Sequence, residues 1–167
     1  ERTKRALRRG LETPIDQEEL IAETQNLARD LLTQAKVAPS AVQHVWRHLT
    51  DAYFLRHTAE EIAWHTGLLA DSDAATDGPL VSVRDQTERG GTAIFTYTPN
   101  RQHSFARTTA VLDQLGLTIV DARITPTANG FSMETYLVLE GHAGTIIDTD
   151  RMREIEGSLR HNLYQPD

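Results

Sequence analysis

The chain has 167 residues, 39% of them hydrophobic, a formal net charge of -7 and no cysteine. That length holds one ordinary domain, or a small domain with a helical piece attached. The acidic excess is shared by both halves, which argues against a surface for nucleic acid, and the lack of cysteine excludes disulfides, thiolate zinc sites and a thiol nucleophile.

The start, Glu1-Arg2-Thr3-Lys4-Arg5, leads into no apolar signal region, and the apolar runs further on are only a few residues long. Neither a secretory signal nor a membrane span is expected, and the composition suits a cytoplasmic location. Charged, helix-compatible sequence from the first residue suggests a piece of a longer protein. The basic residues Arg2, Lys4, Arg5, Arg8 and Arg9 read as a solvated face rather than a phosphate or membrane contact.

Leu20, Ile21, Leu27, Leu31 and Leu32 recur at helical spacings, predicting a first helix. Pro39-Ser40 opens a second, with Val42, Val45, Trp46 and Leu49 on one side. A third starts near Thr58-Ala59-Glu60-Glu61, where a threonine with a carboxylate three residues on is a capping-box signature, and carries Ile62, Trp64, Leu68 and Leu69 as contacts. From Ala70 to Pro79 the residues are small and acidic without apolar period, as in a solvated linker. The expected organisation is a helical segment over 1–70, a linker over 71–78 and a second domain over 79–167.

In that domain Pro79 to Asp85 reads as a short strand, and Gly90-Gly91 turns into a second strand, Thr92 to Thr98. Pro99-Asn100-Arg101-Gln102 breaks it and leads into a helix with Phe105, Thr109, Leu112 and Leu115 on one face, stopped at Gly116. Leu117 to Thr127 alternates as a strand with Val120, Ala122 and Ile124 on one side, and Ala128-Asn129-Gly130 turns it into Phe131 to Glu140. Asp148-Thr149-Asp150 caps a last helix striped by Met152, Ile155, Leu159 and Leu163. The fold class is therefore α+β: a helical segment, then a ferredoxin-like unit with two helices on one face of an antiparallel sheet. Its fourth strand position is filled from upstream, by Pro79 to Asp85 pairing with the strand that follows.

Pro79-Leu80-Val81, Gly90 to Phe95, Thr98-Pro99-Asn100-Arg101, Phe105-Ala106 and Leu115 to Ile124 together resemble the first ACT domain of bifunctional uridylyltransferase/uridylyl-removing enzymes that act on the PII nitrogen-signal protein. Tyr53-Phe54-Leu55-Arg56-His57 with Ile62-Ala63-Trp64-His65-Thr66 is similar to the helical segment before that domain, so the resemblance covers about residues 40–163. It implies a C-terminal regulatory fragment whose ACT domains sense glutamine, followed by a second ACT domain and working on catalytic domains elsewhere. It implies magnesium for the parent enzyme and no cofactor for this stretch, and a homodimer is among the partners it allows. A Gly-Ser loop followed by paired aspartates, and the His-Asp dipeptide of metal phosphohydrolases, are both missing, so the stretch is expected to be inert alone.

The candidate effector loop is Asn100, Arg101, Gln102, His103 and Ser104, between strand and helix, where helix-end amides favour a carboxylate. Ligand-binding ACT domains resemble Asp-Arg-Pro-Gly there; His103 stands at the glycine position, which favours a structural module that binds no small molecule. Elsewhere the bland readings prevail. His44 and His48 lack a third metal ligand. His57 and His65 flank a helix cap with solvated carboxylates, Trp46 and Trp64 are core contacts, and Asp113, Asp121 and Glu134 are isolated carboxylates. An RNA-recognition reading of Asn129 to Tyr136 fails on Asn129, Met133 and Glu134, none of which suits a phosphate chain or a stacked base.

Overall fold

The computed structural model describes residues 13–72, 79–86, 90–140 and 148–164. The basic start, most of the linker, the tip of the turn before the second strand and the last three residues lie outside them. The chain divides into two compact units between Asp71 and Ser72.

The first unit is all helix: α1 (Thr13–Gln34), α2 (Pro39–Trp46), α3 (Asp51–Arg56) and α4 (Ala59–Asp71). Pro39 at the start of α2 loses nothing, because its missing N–H would have had no partner in the first turn. The capping box at α4 forms as expected: the Thr58 N–H donates to Glu61 Oε1 at 2.9 Å and the Glu61 N–H donates to Thr58 Oγ1 at 3.2 Å. Glu61 is buried rather than solvated, as are His57 and His65 beside it. The six-residue α3 was not expected; Thr50 caps it by accepting from the Tyr53 N–H. On α1 the inward residues are Ala28 and Leu32, whereas Leu20 and Leu27 are exposed. Trp46 sits edge-on to Phe54 at 5.2 Å between ring centres and donates from Nε1 to Thr66 Oγ1 at 2.9 Å, a core contact as read from its spacing.

The second unit holds β1 (Leu80–Gln86), β2 (Gly91–Pro99), α5 (Ser104–Gln114), β3 (Leu117–Pro126), β4 (Phe131–Glu140) and α6 (Thr149–Tyr164). The four strands form one antiparallel sheet in the order β1-β2-β4-β3. β1 takes the fourth position, with Leu80 opposite Tyr97 and Val83 opposite Ile94. This is the ferredoxin-like, ACT-type layout. Val81, Ile94, Tyr136 and Val138 of the sheet meet Val111 and Leu112 of α5 and Ile155, Leu159 and Leu163 of α6 in one core. The α6 stripe holds, with Met152 packed at its margin.

Two expected faces turned out differently. On α5 the inward residues are Ser104, Thr108, Val111 and Leu112, and Phe105 is 44% exposed. The hydroxyls can be buried because they return to nearby carbonyls, Thr108 to Ser104 O at 3.0 Å and Ser104 to Arg101 O at 3.2 Å. On β3, Val120, Ala122 and Ile124 are all exposed but do not share one side: Ala122 and Ile124 stand opposite Tyr136 and Glu134, whereas Val120 is the residue left without a partner. A bulge between Ile119 and Asp121 shifts the register against β4, which a count of alternating residues does not register.

The two turns rest on glycine. Gly116 ends α5 at φ 78°. Gly130 takes φ 82° while Asn129 does not go positive, so the hairpin uses the longer loop with one left-handed residue rather than a two-residue turn.

Candidate effector-binding site

Pro99, the last residue of β2, pairs with Phe131, and the Asn100 N–H donates to Gly130 O at 2.9 Å, tying the loop to the β3–β4 hairpin. Asn100, Arg101, Gln102 and His103 are exposed; Ser104 is buried as the first residue of α5. His103 precedes the helix at φ -112° and gives it no side-chain cap. A left-handed glycine is therefore not required at this position. The Ser104 N–H turns back to Arg101 O at 3.4 Å and the Arg107 N–H to His103 O at 3.0 Å, leaving the Phe105 and Ala106 amides at the open helix end.

Arg101 and Ser104 come together with Thr98, Pro99, Arg107 and Leu163 around a cleft. Two arginines and a helix N-terminus make its mouth attractive to a carboxylate. Its free volume is about 10 Å³, room for about one water and far less than an amino acid occupies. Asn100, Gln102 and His103 do not line it.

Beneath α5 lies a polar group that the sequence reading left unassembled. Glu134, only 3% exposed, accepts from the Tyr136 hydroxyl and from the Ser132 hydroxyl, the latter at 3.2 Å. Burial pushes its carboxyl above the usual range, opposed by those two hydrogen bonds. Burial, with the Glu134 carboxylate beside it, also pushes the Tyr136 hydroxyl well up. Thr96 faces Glu134 across the sheet, and its buried Oγ1 has no hydrogen-bond partner among the described residues. The available signal was the spacing of Ser132, Glu134 and Tyr136 at every second residue, which puts all three on one face of a strand.

The aromatic pair that an RNA platform would need is not presented. Tyr97 and Phe131 stack at 4.7 Å, but Tyr97 is buried and its hydroxyl accepts from Asn129 Nδ2 at 3.0 Å. In the helical unit the Tyr53 hydroxyl and His65 Nδ1 are hydrogen bonded at 2.7 Å, and His57 Nδ1 donates to Tyr53 O at 2.9 Å. Burial first, then the charge of Glu61, raises the Tyr53 hydroxyl. Among the described residues no group of three or more histidines and carboxylates is placed to hold a metal ion.

Residues 16–68 match the family described as the fifth domain of uridylyltransferase GlnD. The whole chain is similar to bifunctional uridylyltransferase/uridylyl-removing enzymes: 46% identical to that of Pseudomonas savastanoi pv. phaseolicola over 99% of this chain. The proteins of Pseudomonas syringae pv. tomato and Pseudomonas fluorescens are each 44% identical over the same share. The chain belongs to the bifunctional uridylyltransferase/uridylyl-removing enzyme family. It corresponds to the C-terminal region of such enzymes and spans 19% of the length of the relatives it matches. No helix among the described residues is long and apolar enough to cross a membrane.

Proposed function

We propose that this stretch is the regulatory part of a nitrogen-signalling enzyme, sensing glutamine and biasing the addition and removal of uridylyl groups on the PII protein by catalytic domains outside it. It is not catalytic itself, and magnesium acts in those domains. The observation that carries the reading is the mouth formed by Arg101, Arg107 and the open N-terminus of α5 on a ferredoxin-like domain, which suits the carboxylate of an amino acid. A further ACT domain of the parent shares the task.

A second reading has its own support. A cleft of about 10 Å³ admits no amino acid without opening, which favours a module that makes contacts and binds no effector. Calorimetric titration of the chain with glutamine, beside its Arg101→Ala variant, separates the two. Heat that is lost in the variant, with a higher melting temperature at saturating glutamine, supports sensing, because any ligand of the native state stabilises it. No heat and no shift in melting temperature rejects sensing by this domain and leaves the contact module.

A further inference from the structure

The helical unit holds a cleft of its own between α1 and α2, lined by Arg29, Leu32, Thr33, Val37, Pro39 and Val42. Its free volume is about 80 Å³, against about 10 Å³ for the cleft at α5. The connection between the two helices builds one wall. The Val37 N–H donates to Leu32 O at 2.9 Å and the Lys36 N–H to Thr33 O at 3.0 Å, a helix stop with Lys36 at φ 64° that leads the chain into Pro39. Thr33 spends its hydroxyl on Arg29 O at 2.9 Å, so most of the lining is hydrocarbon, and its one charge is Arg29. That charge is held in place. Arg29 Nη1 donates to Asn26 Oδ1 at 3.2 Å, and the guanidinium carbon lies 4.9 Å from the centre of the Trp46 ring. The ring is fixed in turn by its bond to Thr66 and its edge contact with Phe54.

We infer that this cleft binds a small carboxylate with a short branched alkyl tail, its carboxylate on Arg29 and its tail against Leu32, Val37 and Val42. Size sets the tail. An apolar cavity of about 150 Å³ takes a benzene ring, so this one takes roughly three or four carbon atoms, whereas a drug-sized ligand or cofactor needs roughly 300 Å³ or more. Charge sets the head group. Asn26 uses one N–H of Arg29, and the rest of the planar fork suits the two oxygens of a carboxylate. From Leu31 to Thr50 the sequence has no aspartate or glutamate, while Lys36 and Arg47 add positive charge in a chain that is acidic as a whole. Asp30, next to Arg29, points about 100° round the helix from it. The lack of a carboxylate in the lining also discriminates between sources of such a ligand. Nothing there can pair with an ammonium group, so a free branched acid such as isovalerate binds better than leucine, which has the same tail and the same carboxylate. The inference does not depend on whether the loop at α5 binds glutamine.

Titration of the full chain with isovalerate tests it, followed by calorimetry and by the fluorescence of Trp46, which reports on the arginine stacked over it once Trp64→Phe has removed the other tryptophan. Saturable binding of roughly millimolar strength is expected, in keeping with so small a ligand. Acetate, which lacks the tail, and 3-methylbutanol, which lacks the charge, should each bind at least about tenfold more weakly, and leucine should fall between them and isovalerate. Those comparisons use the unmodified chain and need no variant to fold. Arg29→Gln, at an exposed position, should lose roughly tenfold or more in affinity, and Arg29→Lys should recover only part of it because the fork is gone. No saturable response to isovalerate overturns the proposal. So does acetate binding as well as isovalerate, which would mean a surface arginine alone, leucine binding as well as isovalerate, or heat that survives Arg29→Gln, which would place the acid at another site such as the α5 cleft.

Discussion

Replacing Thr96 with valine should stabilise the sheet-bearing unit, although it removes a polar group from a polar neighbourhood. Thr96 is 1% exposed, and its hydroxyl finds no partner among the described residues. Glu134 stands directly across the β2–β4 pair, and its oxygens receive donors from Tyr136 and from Ser132 rather than from Thr96. A buried hydroxyl left in that condition costs about 1–3 kcal/mol, and valine keeps the branched shape that suits a strand while deleting the cost. Taking the lower end, the variant gains about 1 kcal/mol, which for a unit of this size raises the melting temperature by roughly 4–8 °C. Thermal and urea unfolding followed by circular dichroism measure it, with an unchanged urea slope confirming that only stability moved. A destabilised Thr96→Val variant refutes the reasoning, because the hydroxyl would then have to be hydrogen bonded in solution.

Two further outcomes follow from the same accounting of buried polar groups. Thr58→Ala removes one arm of the α4 capping box and should cost the helical unit about 1 kcal/mol, with a double-mutant cycle against Glu61→Ala giving a non-zero coupling; additive losses would mean that the two arms act separately. Glu134→Gln should change the pH dependence of the second unit. The raised folded-state pKa of Glu134 means that its neutral form adds stability at pH values below the ordinary carboxylate range, and that this is lost as pH climbs through the raised value. The variant lacks that loss, so its advantage over the parent should grow from acid toward neutral pH in paired melts; an advantage independent of pH would contradict the assignment.

The strand order could be read from the sequence because its signals are local: turns at Gly90-Gly91 and Gly130, a helix stop at Gly116, and a strand at Leu80 to Asp85 too near β2 to pair anywhere but beside it. The direction in which side chains face was harder to read. Phe105 is the largest apolar residue of α5 yet lies outside the main core, because the helix presents Ser104 and Thr108 to the sheet and satisfies their hydroxyls within its own first turns. The bulge at Ile119 and Asp121 inserts one residue into an alternating pattern, so parity read from one end of β3 misplaces the other. Helix α3 spans six residues, too few for a helical period to declare itself. Of the candidate loop, only Arg101 and Ser104 reach the cleft. Arg107, Thr98 and Leu163, which complete it, come from three separate elements and share no local motif.

The uneven footing of α5 has a mechanical consequence. Its C-terminal half is held by hydrocarbon, with Val111 and Leu112 in the core and Leu115 against it. Arg151 fixes the same end by donating to Leu115 O, while Glu140 accepts from Arg151 Nε and Nη2 at 2.8 Å and Glu154 accepts from Nη1 at 2.6 Å. Those charge-assisted bonds lower the Glu140 carboxyl below its usual range, so the clamp is fully ionised at neutral pH. The N-terminal half sets the Ser104 and Thr108 hydroxyls above the Glu134–Tyr136 pair and lays the half-buried Phe105 ring along Tyr136, 6.2 Å between ring centres. Opening the cleft at Arg101 and Arg107 would therefore have to part Phe105 from Tyr136 while Arg151 holds the far end of the helix at Leu115 O.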